Sequence, residues 1–146
     1  MRQMKRLLFV LTFLTGSHLA AQQQTGFLDR TVPFGNKPVR YQVYVPFDYT
    51  SQREWPVILF LHGAGERGSD GLRQTQVGLG AAIRKSRDRF PAIIVMPQAP
   101  SESIWRGTVT EMSLAALEQT TKEFRGWDWP FQQRRSAKDG GGKHER

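Results

Sequence analysis

Two continuous apolar runs in the middle of the chain predict buried strands. They are residues 56–61 and residues 92–96, and both are rich in residues that favour strands. A strand that is apolar at every position is covered on both of its faces, as in a parallel sheet with helices on either side. The two runs therefore predict the parallel part of a sheet.

A β-hairpin is predicted before the first of these runs. Residues 27–32 and 39–45 flank a segment, residues 33–38, that contains two prolines, a glycine and an asparagine. Alternation in the second arm predicts a strand buried on one face only: Tyr41, Val43 and Val45 alternate with Gln42 and Tyr44.

Two segments have the periodicity of helices. Residues 72–84 place Leu79, Ala82 and Ile83 at helical spacing. Thr108 and Glu111 have the spacing of a capping box, which starts a helix that we expect to end near Arg125. The face predicted to be buried consists of Leu114, Leu117, Thr121 and Phe124. The order hairpin, strand, helix, strand, helix predicts an α/β fold.

The two ends of the chain differ from this middle part. Residues 1–21 combine a basic start, a short apolar run and small residues before Gln22, which predicts a secretory signal peptide cleaved after Ala21. The apolar run is shorter than the about 20 residues that span a bilayer, so no stable membrane anchor is expected after cleavage. We expect a secreted or periplasmic protein whose folded part is residues 22–126. Residues 127–146 lose all periodicity and predict an unstructured tail or a frameshifted sequence.

Charge and cysteine content remove several classes of function. The chain of 146 residues carries a formal net charge of +8. It contains no cysteine, and this absence excludes disulfides and cysteine-based metal or nucleophile sites. Residues 1–21 and 125–146 each carry a net +3, so only +2 remains for residues 22–124. A nucleic-acid-binding domain concentrates its bases on the folded part, so no nucleic-acid partner is expected.

The segment that carries chemistry is the loop of residues 61–71, which follows the first apolar run. Ligands of open α/β sheets bind at the carboxyl ends of strands. Residues 63–68 formally fit the dinucleotide-binding pattern G-x-G-x-x-G. That pattern requires a helix directly after the glycines and an acid at the end of the next strand, but the next strand ends at Met96, Pro97 and Gln98. Glycines in this place also suit an oxyanion hole, because they let the main chain approach a substrate closely.

The string His-Gly-Ala-Gly-Glu-Arg-Gly of residues 62–68, with residues 93–98 and Trp105, resembles the N-terminal part of α/β-hydrolases of the esterase and predicted-peptidase branch. Polyhydroxybutyrate-depolymerase-like and dienelactone-hydrolase-like proteins belong to the same branch. The resemblance extends from about residue 27 to residue 125. It implies an incomplete α/β-hydrolase fold, with an N-terminal hairpin and then parallel strands alternating with helices. The nucleophile strand and everything after it are absent from this expected fold.

The resemblance also implies a role for each residue of the loop. The Ala64 N–H, with Gly65 beside it, would donate to the oxyanion; His62 and Gly63 would shape the turn, Glu66 and Arg67 would brace it, and Trp105 would line the substrate pocket. Plainer structural alternatives remain open. His62 would then only bond the backbone, Glu66 and Arg67 would be solvated charges, and Trp105 would be a core aromatic.

The catalytic residues of such hydrolases are absent from the chain. In these enzymes a nucleophile in G-x-S-x-G precedes the acid and the histidine. The chain contains no such motif, and after Gln22 its only histidines are His62 and His144. We therefore expect an inactive N-terminal fragment of an exported serine hydrolase whose family acts on small-molecule or polymer esters, or on peptides, without cofactor or metal. A non-catalytic binding remnant of the same fold and, with less support, a dinucleotide-binding protein are the alternatives. We also expect the fourth strand to leave an open, apolar sheet edge.

Overall fold

The structure is a computed structural model that describes residues 24–125. The predicted signal peptide and the predicted tail lie outside the described residues. Within residues 24–125, no helix is long and apolar enough to cross a membrane.

The sheet has four strands in the order β1-β2-β4-β3. They are β1 (Gly26–Phe34), β2 (Lys37–Val45), β3 (Val57–Leu59) and β4 (Ile93–Pro97). The pairs β1–β2 and β2–β4 are antiparallel, whereas β3 and β4 are parallel. The α/β class is thus confirmed for the described part of the chain, with a mixed sheet and few helices.

The hairpin arms are longer than predicted and are joined by only two residues. Phe34 pairs with Lys37, so Gly35 and Asn36 form the whole turn. Gly35 has a φ of 58°, which is the left-handed value that a two-residue hairpin turn requires and that glycine adopts without strain.

Helices cover both faces of the sheet. Helix α2 (Thr108–Glu123) packs on one face and helix α1 (Gly78–Lys85) on the other. The core under α2 contains Val43, Val45, Tyr49, Trp55, Ile93, Val95, Ala116 and Phe124, among others. The core under α1 contains Tyr44, Ile83, Ala92, Ile94 and Met96. Residues 41–45 of β2 are buried at every position, so the prediction of a strand buried on one face was wrong. Alternation does not mark this strand because both of its faces meet a helix.

The first predicted helix is divided in two. A 3₁₀ turn, Arg73–Thr75, precedes α1, and the turn folds back over the helix. A Cβ at Gly80 would overlap the Thr75 backbone carbonyl, so the close approach depends on glycine. The single helix expected over residues 72–84 is therefore corrected to a turn followed by an eight-residue helix.

Helix α2 differs from the prediction at its start and on its buried face. It begins after Gly107, whose φ is 51°, and no side chain caps it, so the expected capping box between Thr108 and Glu111 does not form. Of the face predicted to be buried, Phe124 is buried and Leu117 packs, partly buried, against the core, whereas Leu114 is 43% exposed. The residues buried within the helix itself are Met112, Ser113, Ala116 and Thr120. Apart from Met112 these buried residues are small, which lets the helix approach the sheet closely.

The edge strands of the described sheet are β1 and β3. Strand β4 lies between β2 and β3, so the expectation of an open edge at the fourth strand was wrong. After β3 the chain crosses over, and β4 then pairs with β3 on the side that faces β2. Ile58 in the middle of β3 is 47% exposed.

Candidate functional site

The loops that follow the two parallel strands meet at one end of the sheet. The glycine loop, residues 61–71, leaves β3, and a second loop, residues 98–107, leaves β4. The two are joined directly by a hydrogen bond of 2.9 Å from the Gly68 N–H to the Ala99 carbonyl. The sequence-predicted residues from His62 to Arg67 and Trp105 are therefore brought together at the carboxyl ends of β3 and β4.

His62 is buried and both of its ring nitrogens contact the backbone. Its Nε2 accepts a hydrogen bond of 2.9 Å from the Ala99 N–H, and its Nδ1 lies 2.6 Å from the Gly63 carbonyl oxygen. A backbone N–H can only donate, so these partners assign the proton to Nδ1 and leave Nε2 as the acceptor. In this arrangement neither nitrogen is open to a substrate.

Trp105 lies against His62 from the second loop. The indole Nε1 donates to the His62 carbonyl oxygen at 2.9 Å, and the two rings are 5.0 Å apart at an interplanar angle of 70°. The half-buried tryptophan thereby holds the start of the glycine loop to the second loop. Its predicted place in a substrate pocket stays a prediction.

Ala64 and Gly65 are exposed at the start of a 3₁₀ turn, Ala64–Glu66. The first N–H groups of a helical turn have no partner within it, and no side chain caps this one. Within residues 24–125, no hydrogen bond engages the N–H of Ala64 or of Gly65. Two neighbouring main-chain donors are thus available to a ligand.

Gly63 allows the turn to begin close to a carboxylate. A Cβ at Gly63 would lie 3.3 Å from Glu66 Oε2, which is tighter than ordinary contact. The Glu66 carboxylate in turn lies 3.9 Å from His62 Nδ1. For Arg67, the described residues provide no carboxylate within 4 Å, and its carbonyl oxygen accepts a 3.5 Å hydrogen bond from Arg73. The Glu66 carboxylate therefore lies next to the His62 ring, whereas the Arg67 side chain forms no ion pair with a described residue that would brace the loop.

Gln98 is a site residue that sequence reasoning did not single out. It is 3% exposed, and its amide spans the glycine loop. Its Oε1 accepts from the Gly71 N–H at 2.7 Å, while its Nε2 donates to the Glu66 carbonyl at 3.1 Å and to Asp70 Oδ1 at 3.0 Å. A primary amide both donates and accepts, which lets one side chain hold both halves of the loop. The sequence feature that could have indicated this role is the position of the glutamine directly after a buried strand.

Asp70 and Gln74 complete the far end of the loop. Asp70 Oδ1 accepts from the N–H groups of Leu72 at 2.8 Å and Arg73 at 3.1 Å, and these two backbone bonds lower the pKa of Asp70. Gln74 donates to the carbonyls of Gly71 and Met96, at 3.0 and 3.2 Å. The end of the glycine loop is thereby fixed to the end of β4.

This arrangement can stabilise negative charge but provides no activated nucleophile. Ser69 is exposed, and His62 directs both of its ring nitrogens to the backbone. No group of three His, Asp or Glu side chains that could hold a metal occurs between residues 24 and 125. In the described part of the loop, the groups left without a hydrogen-bond partner include the main-chain N–H groups of Ala64 and Gly65.

The geometry does not suit a dinucleotide. The pyrophosphate of such a cofactor binds at the N-terminus of an α-helix that opens on the glycines. Here the glycines open a 3₁₀ turn, and α1 begins only at Gly78. The helix that this function requires is not in place.

A similarity to a solved structure accompanies this geometry. The crystal structure of a thermostable esterase matches the chain with a TM-score of 0.58 and 25% sequence identity, over 69% of this chain and 31% of that one. The chain thus spans about a third of the length of the esterase that it matches. No protein-family model and no curated protein matches the chain. The likeness relates the mixed α/β sheet of this chain to that of an ester hydrolase.

Proposed function

We propose that residues 24–125 are the N-terminal part of an exported serine hydrolase acting on carboxylic esters, and that they supply its oxyanion hole. The N–H of Ala64, with that of Gly65 beside it, donates to the oxygen that becomes negative when a nucleophile attacks the ester carbonyl. The observation that carries this proposal is the pair of unengaged N–H groups of two exposed residues, Ala64 and Gly65, in the loop after a parallel strand.

The rigidity of the surrounding loop supports this role. Donors stabilise an oxyanion most when they are fixed before the reaction, because no reorganisation is then needed in the transition state. The loop is held by His62 at its start, by Gln98 across its middle and by Gln74 at its end. The Ala64–Glu66 turn lies between these points, so its N–H donors are held in place while they remain without a hydrogen-bond partner.

The chain as given does not complete the reaction. An oxyanion donor is worth typically about 2.7–4 kcal/mol of transition-state stabilisation, but only where a nucleophile attacks. The 146 residues contain no G-x-S-x-G, and His62 is bound to the backbone. We therefore propose that the chain itself is inactive and that the activity belongs to a protein with the missing triad.

The coding DNA after codon 126 provides the first test. We expect one of the other two reading frames to encode an apolar strand followed by G-x-S-x-G, because periodicity is lost at that point. A verified present frame, with the motif in neither alternative, would remove the frameshift explanation. It would favour a non-catalytic binding remnant of the same fold.

The assay of the restored enzyme tests the oxyanion assignment. It should hydrolyse p-nitrophenyl butyrate, whereas the 146-residue chain should not exceed background. In the restored enzyme, Ala64→Pro should lower kcat by about 10²–10³, since proline removes one N–H yet is tolerated at the first position of a helical turn. Ala64→Ser keeps the N–H and is the matched control, with circular dichroism verifying the fold of both. Equal activity of Ala64→Pro and wild type would refute the assignment.

A further inference from the structure

Asp70 and Gly71 form an Asp–Gly pair in the glycine loop, and such a pair can rearrange its own main chain. The nitrogen of the residue after an aspartate can attack the aspartate Cγ, and glycine has no side chain to hinder the attack. The N–Cγ bond forms as the Cγ–OH bond breaks, which gives a cyclic imide and releases one water molecule. A water molecule then opens the imide, either back to aspartate or to isoaspartate, in which the main chain runs through Cγ.

Gln98 holds the nitrogen that would attack. The Gly71 N–H donates to Gln98 Oε1 at 2.7 Å, and both residues are buried. The amide proton must leave this nitrogen during the reaction, and water or a dissolved base has to accept it. A buried and hydrogen-bonded N–H gives up its proton only when the structure opens locally. The nitrogen is therefore unreactive while this hydrogen bond is intact.

The Asp70 carboxyl group, which would be attacked, is held as well. Its Oδ1 accepts hydrogen bonds from the N–H groups of Leu72 at 2.8 Å and Arg73 at 3.1 Å, and from Gln98 Nε2 at 3.0 Å. These three bonds restrict the rotation of the carboxyl group. The two backbone bonds also lower the pKa of Asp70, so that less of the protonated acid is present at neutral pH. The protonated acid is the form that reacts, because it can lose its OH group as water.

The backbone around Gly71 is too closely packed to accept the product. Isoaspartate inserts a methylene group into the main chain between Asp70 and Gly71. A Cβ at Gly71 would lie 2.9 Å from the Cβ of Arg40 in β2, so the backbone already lies close to that strand. The inserted group would therefore displace the Gly71 N–H from Gln98 and loosen the end of the glycine loop.

We propose that Asp70–Gly71 is a latent site of isoaspartate formation and that Gln98 suppresses the reaction. The Gln98 amide binds both reacting groups, since its Oε1 accepts from the attacking nitrogen and its Nε2 donates to the carboxyl group. A single side chain thus keeps the two groups in their unreacted arrangement. This role is independent of the proposed hydrolase function, because the reaction needs only the chain itself and water.

The first experiment compares the 146-residue chain at neutral pH in its folded state and in urea. Trypsin cleaves after Arg67 and Arg73, so residues 68–73 form one peptide, and the other Asp–Gly pair, Asp139–Gly140, falls in a different peptide. Liquid chromatography separates the aspartyl and isoaspartyl forms of each peptide. We expect isoaspartate at residue 70 to form at least about tenfold faster in urea than in the folded chain. Equal rates in the two states, or no isoaspartate in urea, would overturn the proposal.

The variant Gln98→Leu tests the side chain itself. It removes the partner of both reacting groups and should raise the rate in the folded chain at least about fivefold. Gln98→Asn, whose amide is shorter by one methylene group, should act in the same direction and replaces the leucine variant if that variant does not fold.

The matched control is Val45→Ala, which destabilises the fold from elsewhere in the molecule. It removes two methyl groups from the core under α2, next to Tyr44, which pairs with Ile94 near the start of β4. With circular dichroism verifying that the chains stay folded during the incubation, its rate should remain within about twofold of wild type. Equal acceleration in Val45→Ala and Gln98→Leu would overturn the proposal, because a general loss of stability would then explain both. An unchanged rate in Gln98→Leu would overturn it too.

Discussion

Replacement of Gln98 by leucine tests how the glycine loop is held in place. Leucine has nearly the same size, so the change removes three hydrogen bonds and leaves little cavity. The Gly71 N–H and the Glu66 carbonyl lose the partners that Gln98 provides, whereas Asp70 keeps its bonds from Leu72 and Arg73. A net loss of about 0.5–1.5 kcal/mol per hydrogen bond, with a further cost for a buried N–H left unpaired, gives a destabilisation of about 2–4 kcal/mol.

The free energy of unfolding is measured in urea by tryptophan fluorescence, with Gln76→Leu as the matched control. The Gln76 side chain is exposed, so the control should change stability by no more than about 0.5 kcal/mol. The variant Gln98→Glu gives a second measurement should leucine prevent folding. Its ionised carboxylate cannot donate and faces Asp70, so it should destabilise at neutral pH and recover partly in acid, when the new carboxyl can donate again. Equal stability of Gln98→Leu and Gln76→Leu would refute this account of the loop.

Three further predictions concern single positions. Backbone hydrogen bonds lower the pKa of Asp70 in the folded chain below its unfolded value of 3.8. The contribution of Asp70 to stability is therefore complete above pH 3.8 and is lost as the pH falls through the lower folded pKa. Asp70→Asn should reduce this acid dependence in urea titrations at pH 2–5. Ile58→Lys should reduce the concentration-dependent light scattering of the purified chain, because it places a charge on the edge strand β3. The control Leu114→Lys, on the exposed side of α2, should not reduce it. Equal effects of the two variants would argue against association through β3. Gly80→Ala should destabilise by about 1–3 kcal/mol because its Cβ overlaps a backbone carbonyl, whereas Gly65→Ala, whose Cβ meets open space, should cost far less in the same thermal melts.

Local patterns predicted the kind and order of the main elements, although not the turn that replaces the start of the first helix. The hairpin, two buried strands and two helical segments follow from periodicity and turn residues, which depend on neighbours only a few positions away. The glycine loop was found because a string of glycines directly follows an apolar run. The chemistry suggested for Ala64 and Gly65 came from a family resemblance, and their role stays a prediction.

The order of the strands and the hydrogen bonds of the site depended on contacts between distant parts of the chain. Sequence alone did not show that β4 enters between β2 and β3, so the open edge was assigned to the wrong strand and the burial of β2 was underestimated. Nor did it show that Gln98 reaches back 27 positions to Gly71, because an amide side chain bonds whatever the fold places beside it. Periodicity specifies which face of an element is apolar, but the packing of the whole sheet decides which faces and edges are covered.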